Sequence, residues 1–426
     1  MDTLWTVVFG LLFFALLMAS VALHEIGHLL PAKLFGVRVP QYFVGFGRTL
    51  WSTRRGGTEY GVKLFPLGGF VRLLGMYPPA RPDAPPTRWQ RIADDARSVE
   101  WDDIVPADDG ALFYQKKTHQ KLIIMAGGIV MNLLISFGLF WGVTGLYGTW
   151  QDSTVVHSIQ ACVIAGQRAD MTCTPDDPPT PAAQAGLLAG DRIVAFNGTA
   201  ITDYPQLTAL IRANLDREAT LVVERDGQQV TLPTVHTRLR TIADPDAPGG
   251  ATPIGSLGVI PTAELVRGGP GEVLASMAGL TAQSVSAIAQ FPVKVWNVVA
   301  DMVTGQPRSL ESPISIVGAS VVAGQASVLE VPAAARAAMF ASLLASVNLF
   351  LAVFNLVPLP PLDGGHIAGA LWEWLRRTVA RATGRPDPGP VDTAKMVPVA
   401  YAVGGFILLC GVVLIVADIV SPVKIF

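Results

Sequence analysis

Near the start of the chain, His24, Glu25 and His28 form an H-E-x-x-H pattern inside a run from Leu4 to Leu30 that holds no Lys, Arg or Asp. Four helical residues advance about 400° and about 6 Å, so His24 and His28 stack on one face and can grip a single metal ion. Glu25 reaches the same site and can take a proton from a metal-bound water. A zinc hydrolase needs three protein ligands and one open position. The third ligand should be another His or a carboxylate, and carboxylates within apolar runs are scarce here. Asp363 ends one such run, in Asn355-Leu356-Val357-Pro358-Leu359-Pro360-Pro361-Leu362-Asp363-Gly364-Gly365. An ionisable group at the bilayer centre costs at least about 2.5 kcal/mol and rarely persists without a role. The bland alternatives are a pair of helix-packing histidines and an aspartate that caps a re-entrant segment.

Those residues need elements to carry them. Half of the 426 residues are hydrophobic, 15% are charged and the mean hydropathy is +0.43, too apolar for an ordinary soluble protein. Four stretches of bilayer length lack Lys and Arg, at 4–30, 122–148, 337–362 and 396–417, and each qualifies as a transmembrane helix. The first has no basic leader or small-residue cleavage site, which argues against a signal peptide. A net charge of −2 leaves no basic footprint for nucleic acid. Basic residues are densest in 31–121 and 363–395, so these segments should be cytoplasmic, with both termini and 151–331 outside. Asp363 then reaches the same side as His24 and His28. Pro358, Pro360 and Pro361 preclude regular helix before it, leaving irregular backbone that requires a polar cavity.

Between the spans, 57–75 reads as a membrane-associated hairpin: Glu59–Phe65 and Phe70–Leu74 are strand-like, joined by Pro66-Leu67-Gly68-Gly69. Residues 77–110, rich in Pro, Asp and Arg, look like exposed loop within a cytoplasmic segment over 76–121. Residues 152–262 form a separate α+β domain. Its Cys162 and Cys173 fall where disulfides persist, and a local bridge is expected. Cys410 reads as a small packed hydrophobe. Residues 263–331 form a linker in which 272–305 suggests an amphipathic helix at the outer interface. The membrane-embedded halves are then 1–150 and 332–426.

The stretch Pro181-Ala182-Ala183-Gln184-Ala185-Gly186-Leu187, followed by Gly190-Asp191-Arg192-Ile193-Val194 and Asn197-Gly198, resembles the central motif of PDZ domains of the bacterial protease type. Gly255-Ser256-Leu257-Gly258-Val259 looks like that family's carboxylate-binding loop, in an order that suggests circular permutation. Such a domain binds extended segments by strand addition, or acts as a steric plug.

Taken in order, the H-E-x-x-H in the first span, the hairpin, the PDZ-like insert and the N-x-x-P-x-P-x-L-D-G motif resemble the bacterial site-2 proteases, and the likeness runs over nearly the whole chain. These are intramembrane zinc metalloproteases of regulated proteolysis. The resemblance implies a polytopic α-helical membrane protein of about four transmembrane helices in the bacterial cytoplasmic membrane, with a membrane-associated β-hairpin and an inserted extracytoplasmic PDZ-like domain. It implies Zn2+ held by His24, His28 and Asp363, with Glu25 as general base. It further implies that Asn355 and the hairpin around Gly68, Gly69 and Phe70 hold substrate, and that Val44-Gly45-Phe46-Gly47 is a neighbouring element. Substrates would be single-pass membrane proteins in the bilayer, such as anti-sigma factors or signal-peptide remnants, after a first cut by a site-1-type protease. The chain has one PDZ-like domain where some relatives carry two. The rival reading is a catalytically silent membrane adaptor that binds peptides through the PDZ-like domain; intact Glu25 and three complete ligands argue against it. A transporter would show internal repeats, and none is found.

Overall fold

The computed structural model describes residues 2–80, 88–163, 173–174, 177–243, 251–309 and 311–423. They divide into two compact units, Gly148–Arg267 and the remainder of the chain.

The larger unit begins with α1 (Asp2–Leu34), followed by β1 (Gln41–Arg55) and β2 (Thr58–Arg72). The two strands turn at Gly56-Gly57, both with positive φ, rather than at 66–69. This corrects the expected hairpin. Residues 41–44 pair with 59–62 on one side and 69–72 on the other, while 49–55 covers the far side of 58–63. Of the two runs expected to form the hairpin, only 69–72 is therefore an edge. Pro66 and Gly68, at φ +108°, bend the chain between them. Tyr42 clasps the sheet to α1 by donating its hydroxyl to the Ala22 carbonyl at 2.8 Å.

Next comes α2 (Arg88–Trp101), where exposed loop is expected from sequence. Its buried positions are Gln90, Ala93, Arg97 and Glu100, one helical face that is almost wholly polar. Arg97 donates to Pro78 O at 2.8 Å and to Asp392 at 2.7 Å, and Glu100 accepts the Met76 and Tyr77 amides at 2.7 and 3.0 Å. A buried face made of charges leaves no apolar period to read. The Pro-rich 81–87 part of that expected loop lies outside the described residues. The second spanning helix, α3 (Thr118–Gly142), runs on through one π-helical turn to Tyr147.

The smaller unit contains β3 (Thr149–Ile159), α4 (Pro181–Gln184), β4 (Arg192–Phe196), β5 (Thr199–Ala200), α5 (Tyr204–Ala213) and β6 (Glu218–Ala219). It continues with β7 (Leu221–Arg225), β8 (Gln228–Thr231), β9 (Val235–His236), β10 (Arg238–Ala243), β11 (Ala251–Ser256) and β12 (Val259–Val266). The main sheet runs β12-β3-β4-β7-β8, and its core centres on Val156, Leu187, Ile193, Leu207, Leu221 and Val223. Buried Asp191 receives Arg225 at 2.7 Å through two nitrogens and the Leu188 amide at 2.8 Å. Burial pushes its carboxyl up, but these donors outweigh that and hold it below the usual carboxylate range. Cys162 and Cys173 are bridged, with Cα atoms 5.9 Å apart. Protein from an oxidising compartment should resist thiol labelling at both positions until reduced. Closing this loop contributes roughly 3 kcal/mol in the chain-entropy account, and labelling of both thiols without reduction would refute the bridge.

The chain then returns through α6 (Pro270–Thr304), α7 (Ile316–Ser327), α8 (Ala333–Asn355), α9 (Asp363–Ala382) and α10 (Val397–Val420). Among the described residues, four helices are long and apolar enough to cross a membrane: Thr3–Leu34, Thr118–Tyr147, Ala333–Asn355 and Thr393–Val420. The third stops at Asn355 rather than 362, where the proline-rich loop takes over. In α6 the apolar face meets other helices, Val273 and Met277 against Leu349 and Val353, then Val295 and Val298 against Cys410 and Leu414. The short helix α7 had no signal of span length. Its small residues press on α1: a methyl at Gly324 would lie 2.2 Å from Thr6 O.

Candidate active site

His24 and His28 sit one turn apart on α1, and Asp363 opens α9 from a loop folded tightly on itself. A methyl at Gly364 would lie 2.3 Å from Val357 O, and one at Gly365 would lie 2.6 Å from Pro360 N. The two glycines after Asp363 let the chain reverse there and aim the carboxylate at α1.

Three atoms then converge. His24 Nε2 lies 3.3 Å from Asp363 Oδ2, His28 Nε2 lies 3.4 Å from it, and the two nitrogens are 3.3 Å apart. The other nitrogen of His28, Nδ1, is 2.8 Å from the Ile124 carbonyl on α3. A carbonyl only accepts, so Nδ1 carries a proton, and Nε2 is the nitrogen left to bind a metal. Three electron-rich atoms this close repel one another unless a cation lies among them. Tetrahedral zinc with bonds of about 2.0–2.1 Å sets its ligand atoms about 3.3–3.4 Å apart. The triangle fits that ion.

Beside it is a cavity of about 190 Å³ lined by Glu25, His28, Gly69, Phe70, Val71, Met125, Asp363 and His366, among others. Val71 donates its amide to the Glu25 carboxylate, so the 69–72 edge faces the cluster of His24, His28 and Asp363. At Gly69 a methyl would lie 3.1 Å from Glu25 Cγ, which leaves little room for a side chain. Phe70 stacks on Phe43 and Phe46 with ring centroids 5.7 and 6.2 Å away, fixing the edge. Gly68 precedes it at the bend. Asn355 is the last residue of α8, half-buried, and is not among the residues that line this cavity.

A model of peptidase family M50 matches residues 12–385. The chain belongs to peptidase family M50. It is 34% identical to zinc metalloprotease Rip1 of Mycolicibacterium smegmatis over 98% of both chains, and 35% identical to zinc metalloprotease Rip1 of Mycobacterium tuberculosis over the same share. A putative zinc metalloprotease of Helicobacter pylori is 27% identical over 82% of this chain and 85% of its own. With four helices of spanning length, the M50 chain is a multi-pass membrane protein.

Sequence reasoning missed the side of this M50 site that α3 builds. A methyl at Gly127 would lie 1.9 Å from Gly27 O, and one at Gly27 would lie 2.3 Å from Gly127 O. The two helices cross backbone to backbone, as small residues allow in membranes. At Gly128 a methyl would lie 2.4 Å from His28 Nε2 and 2.6 Å from His24 Nε2, so this glycine forms the wall against which the two imidazoles rest. Asn132, one turn further along α3, is 2% exposed. Asn132 stands out in the sequence as a polar residue of the second span, for helix packing or substrate contact; Asn348, unremarked there, is fully buried and donates to Ser20 Oγ at 3.2 Å. The available signal was Gly127-Gly128 inside the wholly apolar stretch 122–131.

Proposed function

We propose that this chain is an intramembrane zinc metalloprotease that hydrolyses peptide bonds within or near the transmembrane segments of single-pass membrane proteins, in regulated intramembrane proteolysis. The observation that carries this is the triangle of His24 Nε2, His28 Nε2 and Asp363 Oδ2 at zinc-ligand spacing, with Glu25 beside it. His24, His28 and Asp363 hold the metal. When bound, zinc supplies Lewis-acid polarisation of a peptide carbonyl and a water acidic enough to attack near neutral pH. Glu25 accepts the proton of the attacking water and passes it to the leaving amide nitrogen. The complete set of ligands and base disfavours a silent adaptor.

A substrate helix hides its peptide bonds in its own hydrogen bonds, so it must unwind before cleavage. The 69–72 edge offers backbone groups to replace those bonds by strand pairing. Asn355 contributes to holding the unwound segment. The cytoplasmic membrane of a bacterium is the proposed location, with both termini and the 148–267 unit outside and a site-1-type protease acting first. That unit is read as PDZ-like. Its β12 has only β3 beside it among the described strands, which leaves an outer edge of the kind that peptide capture uses.

Asp363→Asn tests the metal assignment. Purified wild-type protein should carry about one zinc per chain, and the variant should lose most of it together with proteolysis. Full zinc occupancy in the variant would remove Asp363 from the ligand set.

Proline substitution tests the edge. The Val71 N–H, which the Glu25 carboxylate holds in the substrate-free site, is the donor an incoming strand would take over, so Val71→Pro should cost cleavage clearly more than Val71→Ala, by roughly fivefold or more per hydrogen bond lost. Zinc content should hold in both. Val62→Pro should instead lower stability, since 59–62 lies inside the sheet. Equal loss from proline and alanine at Val71 would sink the strand-addition step.

A further inference from the structure

A cavity of about 720 Å³ opens where α3 begins, between its first turn and α9 from Leu371 onward. Five basic groups line it: Lys117 and His119 from the start of α3, and Arg377, Arg381 and Arg385 from α9 and the turn beyond. Its floor is apolar, made by Leu122, Leu371 and Trp374. Asp387 is the acid that lines it, and it lies 3.4 Å from Arg377 Nε, while Glu373 lies 3.4 Å from Arg377 Nη1. Arg377 is thus balanced within the protein. Among the described residues, no carboxylate pairs with Lys117, Arg381 or Arg385, and the Arg381 guanidinium reaches only Arg377 O and Thr378 Oγ1 of its own helix.

This arrangement stands at the end of a spanning helix. Lys117 immediately precedes the Thr118–Tyr147 span, so the cavity mouth lies where hydrocarbon meets headgroups. The helix beside it is amphipathic. Glu373 and Ala380 are buried on one side, while Leu371, Trp372, Trp374, Leu375 and Val379 are exposed on the other, with arginines flanking them. Exposed Trp and Leu beside Arg is the composition of a helix lying in the interface plane. A solvent-facing helix would not present that face, and a protein partner would have to enter the headgroup layer to cover it.

We infer that this cavity is a binding site for an anionic phospholipid, its phosphate held by Lys117, Arg381 and Arg385 and its acyl chains lying on Leu122, Leu371 and Trp374. Opposite charge and an apolar floor at headgroup depth are what such a lipid requires, and a zwitterionic lipid would leave the cations unbalanced. Because Asp363 opens α9 and Trp374, Arg377 and Arg381 lie further along it, the bound lipid also braces the helix that presents the carboxylate. The inference needs only that the helices span a membrane, so it stands apart from the proposed protease reaction.

The test uses full-length protein in nanodiscs of equal parts phosphatidylcholine and phosphatidylglycerol, released and read by native mass spectrometry. Phosphatidylglycerol should be enriched over phosphatidylcholine among the retained lipids by about tenfold or more. The Lys117→Gln, Arg381→Gln, Arg385→Gln triple variant should lose that enrichment while keeping its zinc content. Retained lipid in the bulk ratio, or unchanged enrichment in the variant, would overturn the assignment. So would displacement of the lipid by inorganic phosphate at equal concentration, which would mark the site as one for a free anion. Should the triple variant fail to fold, quenching by brominated lipids in the wild type decides instead. The fluorescence attributable to Trp374, taken as the difference from Trp374→Phe, should be quenched more by brominated phosphatidylglycerol than by brominated phosphatidylcholine. Equal quenching would refute the proposal.

Discussion

Glu25→Gln is expected to lower cleavage of a membrane-embedded substrate by about 10²–10⁴-fold, the usual contribution of a positioned general base. The substitution keeps the size of the side chain and leaves an amide oxygen that can still accept the Val71 N–H. It removes the one property the reaction needs, the ability to take a proton. Glu25 stands outside the triangle of ligand atoms, so zinc content should be unchanged. Measuring metal and turnover on the same preparation separates a lost base from a damaged site. Turnover near the wild-type value would remove Glu25 from the role proposed for it.

Gly128→Ala should abolish activity by a different route. The added methyl would lie 2.4 Å from His28 Nε2 and 2.6 Å from His24 Nε2, inside any non-bonded contact distance, and the atoms it meets are the proposed ligands themselves. Those rings have little freedom to withdraw, because His28 is tied by Nδ1 to Ile124 of the same helix that carries the methyl. Relief requires α1 and α3 to separate, which would break the backbone contact of Gly27 with Gly127. Zinc content is expected to fall at least about tenfold, in the range that loss of supporting contacts costs a metal site. Helix content by circular dichroism should be kept. Gly138→Ala is the control, since a methyl there meets nothing within 4 Å and alanine favours helix. A Gly128→Ala protein with wild-type zinc would show that α3 does not press on the ligands.

The contrast between these two substitutions marks the limit of what was legible. His24, Glu25 and His28 could be placed together because a helix repeats every 3.6 residues, and that repeat is written along the chain. Asp363 stood out for an energetic reason, being a carboxylate at the end of an apolar run. The four spans follow from length against bilayer thickness. By contrast, α2 reads as loop because its buried face has only Ala93 beside Gln90, Arg97 and Glu100, and burial of the charged pair rests on partners such as Asp392 and the Met76 and Tyr77 amides. The hairpin was misplaced because Pro66 and Gly68 are turn residues by local habit, while the pairing of 41–44 on both sides depends on where the sheet meets α1.

Residue type, periodicity and hydropathy by themselves determined that this is a membrane chain with an H-E-x-x-H pattern in its first span, a carboxylate at the end of a second apolar run and a separate α+β unit. The tertiary structure decided how those pieces close on one another. It set Asp363 Oδ2 at 3.3 and 3.4 Å from the two imidazoles, and it turned the 69–72 edge toward Glu25. It also gave the Ile124 carbonyl the task of fixing the His28 tautomer, and Gly127 and Gly128 the task of admitting α1 to contact. The physical reason is that such features are properties of pairs. A backbone carbonyl has the same chemistry at every position, and a glycine has no side chain with which to announce what will lie against it.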